Sequence, residues 1–284
     1  MGSLTGVTVV DFTRQLPGPF ASRELLRLGA RVVKVEPPEG DLMPESWYHA
    51  LNDGKEIVSW DARSQGPPAA LADADVVLEG FRPGVWERLA VDLPATAILC
   101  SITGYGATGP RAQDAGHDLN YLAYSGALAD TAPALPPVQI ADLAAGAQGA
   151  VIEVLAALLE RARTGLGARI VVSMTHNTHR FVAHRLAGDP VPRLLTGGVA
   201  CYRIYETADR RHLTVAALEP KFWRNLCALL ERPELEDRAF EPELPELAEL
   251  FRSRPLHDWR TLLEGNDTCV APVLTLAEAA DELE

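Results

Sequence analysis

The sequence predicts an α/β protein: a larger domain built on a parallel sheet, followed by a smaller α+β domain. Three observations carry that reading. Strand-like and helix-like stretches alternate with short links from residue 6 to residue 36, the pattern of a parallel sheet with right-handed crossovers. The alternation recurs through residues 75–79, 85–89, 97–102 and 169–173. Beyond about residue 188 the pattern changes to a hairpin and short helices. The expected division is a large domain over 1–187, a small domain over 188–265, and a segment over 266–284 that returns toward the large domain.

Residues 6–12 read as a buried strand, with Pro17-Gly18-Pro19 breaking the chain after it. Phe20, Leu25 and Leu28 fall at helical spacing, and Gly29 suits the left-handed residue that closes a helix. Residues 31–36 form the next strand, stopped by Pro37-Pro38. Residues 38–72 show little periodicity beyond a turn at 52–55 and a short strand at 56–60. Strands at 75–79 and 97–102 flank a helix at 85–89. From Leu143 to Arg163 the chain is almost uniformly apolar until Glu160, which predicts a helix buried on all sides with Asp142 as its N-cap. A strand follows at 169–173. Residues 200–205 and 212–216 predict a hairpin, and Pro220 opens a helix reaching Leu230. The acidic, proline-bearing stretch 232–245 reads as a surface loop. Short helices at 247–251 and 256–263, an edge strand at 270–274 and a helix over 276–284 complete the chain.

A chain of 284 residues is long enough for a sizeable core, and its net charge of −13 lacks the basic footprint that non-specific nucleic-acid binding needs. Cys100, Cys201, Cys227 and Cys269 are scattered with no paired spacing, so they read as free thiols in a reducing compartment. No basic-then-apolar leader is present, and no run is expected to reach membrane-span length, so the expected location is cytoplasmic.

His117 stands between Gly116 and Asp118 where a loop should become a helix. Asp118 can cap that helix, and a helix N-terminus favours a neutral imidazole able to accept a proton. Asp142 stands at a second strand-to-helix junction. Capping would favour its ionised form, whereas a general acid requires burial to prevail. Glu219 before Pro220 reads as a cap, or as a carboxylate that orients a histidine ring. Lys34, Arg82 and Arg88 lie near strand ends, where ligands of open parallel sheets sit, and suit phosphates. Pro17-Gly18-Pro19 is neither a GxGxxG loop nor a Walker motif, and no nucleophile elbow is present.

Five stretches together resemble the family III CoA-transferases, most closely the α-methylacyl-CoA racemases. They are residues 28–37, Glu79-Gly80-Phe81-Arg82-Pro83-Gly84-Val85, Thr103-Gly104-Tyr105-Gly106 with Thr108-Gly109-Pro110, Ala115-Gly116-His117-Asp118-Leu119-Asn120-Tyr121, and Leu218-Glu219-Pro220-Lys221-Phe222-Trp223. The histidine in the fourth is typical of the racemase branch. The resemblance implies a Rossmann-like large domain, a small domain and an interlocked homodimer. It also implies coenzyme A as part of a thioester substrate, with no prosthetic group, while the charge and hydropathy lead us to expect no nucleic-acid or membrane partner. It assigns His117 and Asp142 as the acid/base pair and Glu219 as support for the histidine. Lys34, Arg82, Arg88 and Leu16 fall in the coenzyme groove, and Asp118 and Tyr121 beside the thioester. The implied reaction is racemisation of 2-methylacyl-CoA through an enolate. Transfer of CoA between carboxylic acids through an Asp142 anhydride is the alternative, and a non-catalytic acyl-CoA-binding relative a third. The family commonly carries aspartate where Ser173 stands here, and glycine where Arg210 stands.

Overall fold

The computed structural model of the chain describes residues 2–188, 191 and 193–283. It divides into two units, Met1–His184 and Arg185–Glu284. The first holds six parallel strands: β1 (Thr8–Asp11), β2 (Arg31–Glu36), β3 (Glu56–Ser59), β4 (Val76–Glu79), β5 (Ile98–Thr103) and β6 (Ala168–Ser173). Their order is β3-β2-β1-β4-β5-β6, so the chain winds outward in both directions from β1. The central strands are continuous Val, Ile and Leu because both sheet faces are covered. One face packs Val9, Val32, Leu78, Ile98 and Val172 under helices. The other packs Val10, Val35, Val77 and Leu99 with Phe12 and Trp86.

Helix α1 (Pro17–Arg27) begins earlier than the proline pair predicts. Pro17 is tolerated in the first turn because the N–H it lacks would have had no helical partner. Gly29 closes the helix at φ +103° as expected. Helix α2 (Glu45–Asn52) occupies part of the stretch without legible periodicity, and α3 (Val85–Leu89) and α4 (Asp118–Ser125) follow.

The long apolar helix differs from expectation in three ways. It opens as a π-helical segment, Ala141–Gln148, before α5 (Gly149–Thr164). Its N-cap is Ile140, so Asp142 lies in the first turn and is not the cap. It is also not buried all round: Ile152 is 65% and Leu159 73% exposed. By length and composition alone, Ala141–Thr164 would suffice to cross a membrane, which corrects the expectation that no run does. Its first turns instead pack against α1 and α6 (Met174–Val182), through fully buried Ala141 and Ala147. Asn177 Nδ2 donates to Ala145 O at 3.0 Å within the widened turn. At the head of α6, Ser173 is the N-cap and its hydroxyl accepts from His176 N–H at 3.3 Å. The Ser173 hydroxyl thus fills the N-cap position of α6.

The second unit is a three-stranded antiparallel sheet with helices. Strands β7 (Tyr202–Glu206), β8 (His212–Ala216) and β9 (Val270–Pro272) lie in that order. Helices α7 (Pro220–Leu229), α8 (Pro245–Phe251), α9 (Leu256–Leu263) and α10 (Leu276–Leu283) accompany them. Trp223 and Trp259 anchor the core, donating to Leu235 O at 2.9 Å and Phe251 O at 2.8 Å. Residues 232–245 lie mostly at the surface as expected, but a 3-10 turn at Pro233–Arg238 and the buried Leu235 and Leu244 pin them to the core. The segment 266–284 falls within this unit. Strand β9 pairs with β8, and Arg211–Glu278 at 2.7 Å and Arg260–Glu282 at 2.6 Å tie α10 down. Arg210 sits at φ +59°, a left-handed conformation that favours glycine.

Candidate active site

The strand order reverses between β1 and β4, and the loops beyond their carboxyl ends part there. This is where open α/β sheets bind ligands. The loop after β1 is held from beneath by a buried polar cluster. Asp11, fully buried, accepts from Thr13 N–H at 2.8 Å, from the Thr13 hydroxyl, and from Ser22 Oγ at 2.5 Å. Lys55 Nζ donates to Pro19 O and Asn52 Oδ1 at 2.8 Å and to Ser22 Oγ at 2.7 Å, and lies 3.7 Å from Asp11 Oδ2. Burial alone would raise the Asp11 carboxyl, but Lys34, Lys55 and the two hydroxyls outweigh it and hold it below the usual carboxylate value. Burial pushes the Lys55 ammonium down to about 8 against the pull of Asp11.

Lys34 belongs to the same cluster, which corrects its assignment to the coenzyme groove. Its side chain is 0% exposed, and its ammonium donates to Thr13 O at 2.8 Å with Glu36 and Asp41 each 3.7 Å away. It faces inward within β2, which continues to Glu36, and supports the loop from below.

Above that loop lies a cavity of about 630 Å³, lined among others by Arg14, Gln15, Arg82, Tyr105, His117 and Tyr121. A second hollow of about 380 Å³ shares Phe12, Arg14 and Phe81 with it and adds Trp60 and Arg63. Phe12 and Trp60 meet edge to face at 5.6 Å. Arg82 Nη1 donates to Gln113 O at 2.8 Å. Leu16 and Arg88 line neither hollow: Leu16 is the N-cap of α1, and Arg88 is exposed on α3. Arg14 escaped the sequence reading, although it stands beyond a strand's carboxyl end as Arg82 does.

His117, exposed at the cavity, is the N-cap of α4, and Asn120 Oδ1 accepts its N–H at 3.1 Å. Asp118 therefore does not cap its own helix. Its Oδ1 accepts from Asp142 N–H at 2.9 Å, fastening the first turn of the π segment to the residue next to His117. Asp142 is 9% exposed and does not itself line the cavity. Burial first, and the Asp118 charge second, raise its carboxyl to about 7. The same carboxyl acts on Tyr121, whose phenol is pushed up to about 12 chiefly by burial. Tyr121 Oη donates to Gly116 O at 2.5 Å. Glu219 lies in the second unit, exposed, at the N-cap position of α7 without a side-chain cap bond.

Gly116 has no room for a side chain. A Cβ there would stand 2.7 Å from Tyr121 Cε1 and 2.9 Å from Tyr105 Oη. Gly116→Ala is expected to cost about 1–3 kcal/mol in overpacking, read as a lower thermal midpoint.

The fold and this site together define an α/β protein with an open cavity at its switch point, an imidazole lining it and a protonatable carboxyl tied to the next residue. The sequence pattern of CoA-transferase family III matches residues 4–284, and the chain belongs to that family. It is 34% identical to an α-methylacyl-CoA racemase of Mus musculus, over 97% of this chain and 79% of that protein. It is 30% identical to an acetyl-CoA:oxalate CoA-transferase of Acetobacter aceti, over 99% of this chain and 83% of that protein. Among solved structures, Rv3272 from Mycobacterium tuberculosis matches with a TM-score of 0.79 at 29% identity, covering 99% of this chain and 85% of that one.

Proposed function

We propose that the chain inverts the α-carbon of 2-methylacyl-CoA thioesters by proton transfer through an enolate, with His117 and Asp142 as the two acid/base groups. The observation that carries this reading is Asp142: its backbone N–H is fastened to the carboxylate of Asp118, the residue next to His117, and burial raises its own carboxyl to about 7. A group that must both give and take a proton works best when its pKa is near the working pH. A nucleophilic carboxylate, by contrast, gains nothing from being half protonated. One group removes the α-proton from one face, the electron pair moves onto the thioester oxygen, and the other group delivers a proton to the opposite face. Coenzyme A enters as part of the substrate. Arg14 and Arg82 face its phosphates, and the hollow between Phe12, Trp60 and Arg63 suits a flat base.

We extend the proposal to a homodimer. Ile152, Leu159 and Phe181 expose apolar surface on α5 and α6 that a second copy would cover. Transfer of CoA through an Asp142 anhydride is the second reading, favoured by the likeness to the oxalate CoA-transferase. The experiment is proton NMR of 2-methylacyl-CoA in deuterium oxide. The α-proton signal should vanish with the enzyme and without a carboxylate acceptor. Acceptor-dependent CoA transfer with the α-proton retained would select the transferase instead. Ligand-induced thermal stabilisation with neither reaction would select a binding protein.

A further inference from the structure

Deprotonating a carbon next to a thioester places negative charge on the carbonyl oxygen, and that oxygen needs a donor already in position. We infer that Tyr105, in the turn after β5, supplies this donor through its phenol. The inference rests on the racemase reading above.

Four observations converge on it. The Tyr105 ring is buried, with the residue only 7% exposed, and it meets Tyr121 and Tyr124 edge to face at 5.2 Å and 5.6 Å. Its position is therefore fixed by packing. Its hydroxyl makes no hydrogen bond among the described residues, yet the one buried side-chain oxygen or nitrogen found without a partner there is Glu36 Oε1. The small exposed part of Tyr105 must then include the hydroxyl, and the cavity that Tyr105 lines is also lined by His117. The hydroxyl lies beside Gly116, the residue before His117. The neighbouring phenol of Tyr121 is already committed to Gly116 O. Tyr105 is thus the phenol of the pair that is fixed in place and unengaged. Burial raises it above its ordinary value, helped by Tyr124 and Asp114 against Arg111, so it stays a donor at neutral and mildly alkaline pH.

In the reaction the phenol keeps its proton. The α-proton passes to His117 or Asp142, the C–H electron pair forms the enolate, and Tyr105 O–H donates a hydrogen bond to the oxygen that gains charge. Reprotonation at carbon restores the carbonyl and weakens that bond.

Tyr105→Phe removes one oxygen atom and leaves both ring contacts in place. With 2-methylbutanoyl-CoA in deuterium oxide, the variant is expected to lose about 100- to 1,000-fold in kcat for α-exchange while KM changes by less than about 3-fold. Its thermal midpoint should match the wild type, because the hydroxyl has no protein bond to lose. Equal kcat for variant and wild type would overturn the assignment while leaving the racemase reading intact. A wild type that does not exchange would overturn both. A rate loss accompanied by a lower thermal midpoint and a raised KM would mark Tyr105 as structural and overturn the assignment as well.

Discussion

The Asp142→Asn variant is expected to lose net inversion by about 100- to 10,000-fold, the range for removing a positioned acid/base group, and to fold more stably than the parent at pH 8. Activity and stability should separate because the same burial serves one and opposes the other. The Asp142 carboxyl titrates near 7 in the folded chain against an ordinary value of 3.8. Between those two values the folded chain binds more protons than the unfolded chain, so stability falls as pH rises through that window. Above pH 7 the full cost of the buried charge is present, and below about pH 4 it is gone. Asparagine removes the charge, so the variant should gain up to about 4 kcal/mol at pH 8 and nothing at pH 3.5. Urea titrations at the two pH values check it. A variant no more stable at pH 8 than at pH 3.5, relative to wild type, would contradict the burial assigned to Asp142.

Asp11→Ala should have the largest effect on folding. Removing this carboxylate leaves the buried Lys55 ammonium beneath the β1–α1 loop without its ion-pair partner, while Lys34 keeps Glu36 and Asp41. Breaking a buried pair from one side typically costs about 3–5 kcal/mol. The loss should appear as a lower denaturation midpoint and a weakened hold on CoA, since the loop that carries Arg14 and Gln15 rests on this cluster. Asp11→Asn keeps the shape and loses the charge. It should be less damaging but still destabilised, which separates the electrostatic from the steric part.

Much of this architecture was legible in the residue order. Strand β2 matches its expected bounds because Val32, Val33 and Val35 form a short apolar run ended by two prolines. Helix α6 was missed because Thr-His-Asn-Thr-His-Arg offers no apolar stripe; it is held by the Ser173 cap and by Met174 and Thr178 beneath it. At the site, His117 and Asp142 could be picked out from junctions and motifs. The bond from Asp142 to Asp118 could not, because it joins residues 24 apart in the chain through tertiary packing. Lys34 misled because a lysine near a strand end usually reaches solvent, whereas here the pleat turns it inward onto Thr13. Tyr105 stood in one of the family-like stretches but was given no role, since its unengaged hydroxyl is a property of packing.

The measurement that tests the two-group account most directly follows each enantiomer of 2-methylbutanoyl-CoA separately in deuterium oxide with His117→Ala and with Asp142→Asn. If the two side chains serve opposite faces of one carbon, each variant should exchange the α-proton of one enantiomer only, the two variants should choose opposite enantiomers, and neither should invert. Exchange lost or kept for both enantiomers alike, with a hydroxylamine-sensitive acyl adduct on Asp142, would contradict it.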